Sequence, residues 1–342
     1  MRSFSLVFAL AAISSVVAHP IHQARELKII GRDTSAKFIR RETDPAAELK
    51  LLADGNTAFR DSLQTSEPEL LQKLTDDGQS PPFMFLGCSD SRVSEGTVFN
   101  AKPGTLFTQR NIANQFQAND NNAQSVLSYA VSELGVNHVI VMGHYGCGGI
   151  AAAIIPSPPN QIDAANGAVQ NWIEPIREIF RTSSRPEIVE LRTKNAAATE
   201  IEEPDIKEPG FRALVEENVK ANVARIAASS VITNHYALLA ANATGTAERR
   251  SGEAGPPTDV YIHGWVYDLE NGEIRDLGIS VGPAGKTIPA PPFAAVAESA
   301  VNSASSHNTP QPAATAETPV KRCEQLCKAK RSLAGMFGAR MN

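Results

Sequence analysis

Two short segments of the chain carry residue types that can bind and use a metal ion. The segment FMFLGCSDSR places a thiol, a carboxylate and a guanidinium close together, at Cys88, Asp90 and Arg92. The segment HYGCGG adds an imidazole and a second thiol, at His144 and Cys147. Two thiolates and a neutral imidazole suit a catalytic zinc ion, which has three protein ligands and one open position. The residue types therefore predict a zinc site, with Asp90 as a candidate fourth ligand.

Each of these segments follows a short apolar run that suits a buried strand. Two prolines precede the run at 83–87, and the run at 138–142 leads directly into the glycine-rich segment. In an open parallel sheet, functional groups collect beyond the carboxyl ends of the strands. Cys88, His144 and Cys147 are therefore expected to meet at one edge of a sheet.

The rest of the pattern predicts helices that alternate with strands. Asp44 is a natural N-cap because Pro45 follows it at the first helical position. Asn271-Gly272 is a strong hairpin signal between two apolar runs. The predicted strands are 83–87, 105–109, 138–142, 260–267 and 274–281, and the predicted helices are 44–59, 67–77, 122–134, 150–155 and 211–231. This order predicts an α/β fold with a central, mostly parallel sheet flanked by helices and an edge hairpin strand.

Composition excludes several classes of protein. The chain has 342 residues, of which 42% are apolar and 20% charged, as in an ordinary globular protein. A net charge of −5 gives no reason to expect a nucleic-acid partner. Four cysteines are too few for a disulfide scaffold in a chain of this length.

The two ends of the chain differ from its middle. Residues 1–18 have a basic start, an apolar run and a small residue at the end, which predicts a signal peptide and a secreted protein. Arginines in the following segment, 19–43, leave mitochondrial import as the alternative. If the protein is secreted, 19–43 is predicted to be a propeptide-like or flexible segment. We expect a catalytic domain over 44–284, then a low-complexity tail over 285–342 with a short basic end. No segment is apolar enough to predict a transmembrane helix.

The two motifs together resemble those of the β-class carbonic anhydrases. CSDSR followed by HYGCGG carries the resemblance, and three further segments extend it. These are PGTLFTQRNIAN (103–114), ENVKANVARI (217–226) and IHGWVYDLENGEIRDL (262–277). The resemblance covers about residues 44–284 and indicates a fungal-type member. It implies the α/β fold and the reversible hydration of carbon dioxide to bicarbonate and a proton, by attack of hydroxide formed on zinc.

The resemblance also implies roles for the motif residues. It assigns zinc to Cys88, His144 and Cys147. Asp90 either binds zinc as a fourth ligand in a closed site or pairs with Arg92 and leaves that position to water. The family generally forms dimers or larger assemblies with pockets at the subunit interface, so a homodimer is expected.

Three further residues match the plant-like pocket subtype of this family. Gln79 stands nine residues before the first zinc cysteine, where it would donate a hydrogen bond to substrate. Phe107 and Tyr129 match the apolar wall and the tyrosine near the substrate. The other subtype has a tryptophan three residues before that cysteine, where this chain has Phe85. Without the resemblance, Phe107 and Tyr129 would equally suit core packing.

Two other functions are compatible with these residues. A related zinc enzyme could act on another small heterocumulene, such as carbon disulfide. A non-catalytic secreted domain could instead use Cys88 and Cys147 as a disulfide or hold a structural zinc. The disulfide would leave Asp90, Arg92 and His144 without a role.

Overall fold

The computed structural model describes residues 44–157, 164–243 and 257–296. Five strands are β1 (Phe83–Cys88), β2 (Leu106–Asn111), β3 (His138–His144), β4 (Tyr261–Tyr267) and β5 (Ile274–Asp276). The α-helices in these ranges are α1 (Pro45–Ser66), α2 (Leu70–Asp76), α3 (Glu95–Val98), α4 (Asn121–Ser132), α5 (Gly148–Ile154), α6 (Ala164–Thr182), α7 (Pro186–Ala197), α8 (Pro209–Ala227) and α9 (Ser230–Ala243).

The strands form one sheet in the order β2-β1-β3-β4-β5. The first four are parallel, and β5 pairs antiparallel with β4 through a hairpin. Strands β1 and β3 are buried along almost their whole length, which explains why their sequences are continuous apolar runs. The predicted α/β class with a mostly parallel sheet and an edge hairpin is confirmed.

The larger part of the core lies between the sheet and the helices on one of its faces. Helix α8 is central to this layer, and residues such as Leu214, Val219 and Ile226 are fully buried. A smaller apolar cluster, which includes Phe85 and Trp265, forms separately from this core. Strands β1 and β3 therefore run through the middle of the fold, where neighbouring elements fix their position.

Several element ends differ from the sequence prediction. The Asp44 carboxylate caps α1 by accepting a hydrogen bond from the Ala46 N–H at 3.0 Å, as predicted. The helix continues past residue 59 to Ser66. Strand β5 is shorter than the predicted run 274–281, because Gly278 adopts a positive φ of 66° and turns the chain. Val281 then returns to pair with Ile262 as an isolated bridge.

The first part of the presumed tail packs against the folded body. The Phe293 ring contacts Trp265 edge-on, with centroids 4.9 Å apart. The Asp276 N–H donates to the Ala294 carbonyl, and the Val296 N–H donates to the Asp276 carbonyl. The compositional boundary at residue 285 therefore precedes the last contacts of the body.

Some sequence predictions concern residues outside the described ranges. These are the signal peptide at 1–18, the propeptide-like segment at 19–43 and the tail beyond residue 296, which contains Cys323 and Cys327. Within the described ranges, none of the helices combines the length and hydrophobicity needed to cross a membrane.

Helices α7 and α8 are in close contact at Gly210. A Cβ atom there would lie 2.5 Å from the Glu187 carbonyl oxygen and 2.5 Å from the Leu191 Cβ. We expect Gly210→Ala to lower the free energy of unfolding by about 1–3 kcal/mol, because the helices must separate. Urea unfolding measures this loss. Gly96→Ala in α3 is the control, since a Cβ there meets no atom within 4 Å; equal losses in both variants would contradict the close contact.

Candidate metal centre

The carboxyl ends of β1 and β3 bring two thiols and an imidazole together. Cys88 ends β1, His144 ends β3, and Cys147 is the N-cap residue of α5. One ligand atom from each residue lies within 4.8 Å of the others, and all three residues are buried. The predicted meeting of these residues at one sheet edge is confirmed.

The His144 ring presents one nitrogen to this cluster. Its Nδ1 lies 3.0 Å from the Tyr145 carbonyl oxygen, so Nδ1 carries the proton and donates it there. Its Nε2 is buried and has no hydrogen-bond partner in the described part of the chain. A buried ring nitrogen without a hydrogen-bond partner, beside two thiols, is an arrangement that a metal ion completes. The two thiols and the imidazole therefore fit the ligand set that would hold a Zn²⁺ ion.

The two cysteines are free thiols, with their Sγ atoms 3.9 Å apart. The hydrogen bond from Cys147 lowers the pKa of Cys88 to about 4. The same hydrogen bond and burial raise the pKa of Cys147. The pair therefore holds one thiolate readily, and a cation is needed before both thiols lose their protons. The disulfide hypothesis does not describe this structure.

Asp90 and Arg92 form a bidentate ion pair at the edge of the cluster. Arg92 Nε donates to Asp90 Oδ1 at 2.9 Å, and a terminal guanidinium nitrogen donates to Oδ2 at 2.6 Å. These hydrogen bonds lower the pKa of Asp90 to about 2, so the carboxylate stays ionised. Asp90 Oδ2 also lies 3.7 Å from His144 Nε2. The carboxylate is thus beside the cluster while its oxygens are bonded to Arg92.

Arg110, which the sequence analysis did not single out, fixes the loop between β1 and α3. Its guanidinium donates to the carbonyl oxygens of Cys88, Asp90 and Val93 at 2.8–2.9 Å. These bonds determine the path of the backbone that carries the first thiol and the carboxylate. Arg110 lies in the PGTLFTQRNIAN segment, but its contacts with the loop are not evident from the spacing.

A second group of missed residues supports the HYGC turn. The Tyr145 hydroxyl donates to Glu216 Oε1 at 2.8 Å, and burial raises the pKa of this phenol, which stays neutral. Arg185 pairs with Glu216 at 2.7 Å, and Arg212 lies 3.4 Å over the Tyr145 ring. Glu216 thus holds the hydroxyl of Tyr145 and Arg212 packs on its ring, which keeps the Tyr145 carbonyl in place as the acceptor for His144.

Two of the three predicted pocket residues, Gln79 and Tyr129, are exposed, whereas Phe107 is partly buried and packs against the core. The Phe107 and Tyr129 rings are stacked, with centroids 5.7 Å apart. Tyr129 is 49% exposed, so it does not belong to the core. Gln79 is exposed in the connection between α2 and β1. Phe85, in contrast, is fully buried in the smaller apolar cluster.

Comparisons with known proteins give a consistent result. The family model described as carbonic anhydrase matches residues 83–242. The curated carbonic anhydrase of Emericella nidulans is 32% identical over 228 residues, which cover 66% of this chain and 82% of that protein.

Two solved structures have the same fold. The β-carbonic anhydrase of Coccomyxa, solved with acetazolamide, is 27% identical with a TM-score of 0.52 and covers 69% of this chain and 88% of its own. The β-carbonic anhydrase CafA of Aspergillus fumigatus is 26% identical with a TM-score of 0.51 and covers 75% of this chain and 96% of its own.

The ion pair makes a specific prediction for acid titration. We expect Arg92→Met to raise the pKa of Asp90 from about 2 toward the 3.8 of a free aspartate, because the guanidinium hydrogen bonds are lost while the backbone N–H of residue 92 still donates to Oδ1. Carbon-13 NMR of the carboxyl group measures this shift. In the unchanged protein, Asp90 stabilises the fold at neutral pH and loses that contribution as the pH falls through about 2. Arg60→Met, on the exposed surface of α1, is the control; an unchanged titration in Arg92→Met would refute the role of the pair.

Proposed function

This chain belongs to the β-class carbonic anhydrase family, and we propose that Cys88, His144 and Cys147 hold the zinc ion with which it hydrates carbon dioxide. The observation that carries the proposal is the buried His144 Nε2, which faces two free thiols and has no hydrogen-bond partner in the described ranges. Bound zinc supplies acidity, because it lowers the pKa of a water ligand enough for a nucleophile to form near neutral pH.

Asp90 and Arg92 orient the reacting water in this proposal. Two nitrogens of the Arg92 guanidinium donate to the Asp90 carboxylate, and one of them also donates to the Gly146 carbonyl at 3.1 Å. Arg92 thus links the carboxylate to the turn that carries Cys147. Held in this way, Asp90 leaves the open position to water and accepts a hydrogen bond from it. The open form of the site is therefore the one we propose.

Gln79, Phe107 and Tyr129 form the substrate pocket in this proposal. The stacked rings of Phe107 and Tyr129 provide an apolar wall, and the Gln79 amide donates a hydrogen bond to a substrate oxygen. The exposure of Gln79 and Tyr129 in the single chain supports a pocket that a second subunit completes. An apolar wall excludes water, which strengthens the electrostatic contacts of the reacting groups.

Helix α1 supports assembly into a homodimer or a larger homo-oligomer. The helix has 22 residues and none of them is buried. Leu49, Leu52 and Phe59 recur at helical spacing and are at least 43% exposed. An isolated helix in water is marginally stable, and an exposed apolar stripe marks an interaction surface. A second copy of the chain is the partner that we propose for this stripe.

The zinc-dependent reaction can be tested by carbon dioxide hydration with and without a chelator. We expect removal of the metal and Cys88→Ser each to lower the rate on the order of 100-fold or more, because water acidity is lost. Stopped-flow pH-indicator assays measure the rate, and metal analysis counts bound zinc. Cys323→Ser is the matched control, since the motifs do not include this cysteine. Full activity in metal-free protein would contradict the proposal.

Assembly can be tested independently of metal binding. We expect the double variant Leu49→Asp and Leu52→Asp to sediment as a monomer and to lose activity, because charge on the stripe opposes association. Sedimentation velocity gives the mass, and zinc content should stay unchanged. Ala47→Asp, which is exposed and lies about 120–160° around α1 from the stripe residues, is the control for added charge. An unchanged mass in the double variant would exclude this interface.

A further inference from the structure

The turn after β2 has an unusual backbone beside the first thiol. Ala113 and Asn114 both have positive φ angles, 60° and 45°, although neither is glycine. Both residues are buried. Non-glycine residues in this region are strained and persist only where surrounding contacts hold them. Other contacts must therefore hold the backbone of Ala113 and Asn114 in this conformation, and they do so next to the Cys88 thiol.

The restraint comes from two buried asparagines one turn apart on α8. Asn218 Nδ2 donates to the Ala113 carbonyl at 2.9 Å. Asn222 Nδ2 donates to Asn218 Oδ1 at 3.2 Å, which fixes the orientation of the Asn218 amide. Asn222 Oδ1 in turn accepts the Phe116 N–H at 2.9 Å. Both asparagines are fully buried, so no water competes for these bonds.

A second helix holds the same turn from another direction. The Trp172 Nε1–H on α6 donates to the Ile112 carbonyl at 2.8 Å. Gln115 Nε2 donates to the Trp172 carbonyl at 2.7 Å, so the contact is reciprocal. These bonds fix the ends of the turn, while Asn218 bonds to the strained residue itself.

The result of this restraint is a hydrogen bond to the metal-site sulfur. The Ala113 N–H donates to Cys88 Sγ at 3.4 Å, a normal length for a sulfur acceptor. An amide directed at a thiolate withdraws electron density from sulfur, and outer contacts of this kind tune a bound metal. The direction of this N–H depends on the left-handed backbone at Ala113.

We propose that Asn218, oriented by Asn222, is a positioning residue that holds the Ala113 amide on the Cys88 sulfur and so sets how strongly this thiolate donates to the metal. The inference rests on the proposed metal site. In it, a residue on α8 acts on the Cys88 ligand of β1 through the backbone of Ala113, without itself contacting Cys88.

Cobalt substitution tests this role through a signal from the sulfur. In Co²⁺-loaded protein, the energy of the sulfur-to-metal charge-transfer band reports the electron density on the thiolates. We expect Asn218→Ala to shift this band to lower energy, because the amide no longer stabilises the sulfur lone pairs. Chelator competition should show metal affinity that is about 10-fold weaker or more, because the Cys88 side chain is no longer oriented by the Ala113 amide, and this loss exceeds the gain from a more electron-rich sulfur. An unshifted band in metal-loaded Asn218→Ala would overturn the proposal.

A rescue variant separates positioning from general packing. Glycine adopts positive φ without strain, so Ala113→Gly added to Asn218→Ala should return the band toward its original energy. Val223→Ala, which removes buried volume from the same helix, should leave the band in place. If Asn218→Ala does not fold, Asn218→Asp keeps the size, replaces the donor by an acceptor and should give the same shift. A double variant with the full shift would contradict a role through the backbone.

The same experiment distinguishes this inference from the proposed function. Failure of the unchanged protein to bind Co²⁺ or Zn²⁺ would remove the metal site and with it both proposals. Normal metal binding and activity, together with an unshifted band in Asn218→Ala, would remove only the role of Asn218.

Discussion

Parallel pairing between β1 and β3 is the constraint on which the site depends. The register sets Gly87 opposite Met142, so both strands leave the sheet side by side and lead into Cys88 and His144. A shift by one residue would turn every side chain of a strand to the other face. Strands β2 and β4 flank this pair and prevent such a shift. The order and register of the strands therefore already place Cys88 and His144 side by side, and the loops only refine this arrangement.

Helix α8 fixes the segments that follow strands β2 and β3. Three of its buried polar residues bond to three different parts of the site: Glu216 holds the Tyr145 side chain, Asn218 holds the Ala113 carbonyl, and Asn222 holds the Phe116 amide. A buried polar group costs free energy unless it forms hydrogen bonds. Each of these side chains is therefore stable only in the position in which its hydrogen bonds form. One helix thus places the loop after β2 and the turn after β3 relative to each other.

Local patterns in the sequence identified the parts of the fold that depend on local physics. Continuous apolar runs gave β1 and β3, Asn271-Gly272 gave the hairpin, and Asp44 gave the start of α1. The motifs gave Cys88, His144 and Cys147, because strand ends determine where they lie. The end of β5 was wrong, since the positive φ of Gly278 breaks an apolar run that still looks continuous.

The supporting contacts could not be found in the same way. Arg110 and Asn218 act on residues that lie 17 to 105 positions away in the chain. No periodicity records such a pairing, and an asparagine inside a helix normally suggests a solvent-facing position. The residue type alone did not separate core from pocket for Tyr129. The family resemblance assigned it to the pocket, and its exposure of 49% excludes the core.

The spacing of the two thiols has a consequence for the maturation of the chain. Their sulfurs are 3.9 Å apart, and a disulfide requires about 2 Å, a short movement for two side chains. Wherever the newly made chain meets an oxidising compartment, metal capture and oxidation therefore compete for the same pair of sulfurs. The order of these two events, and the free zinc available at that moment, determine what fraction of molecules becomes a working enzyme.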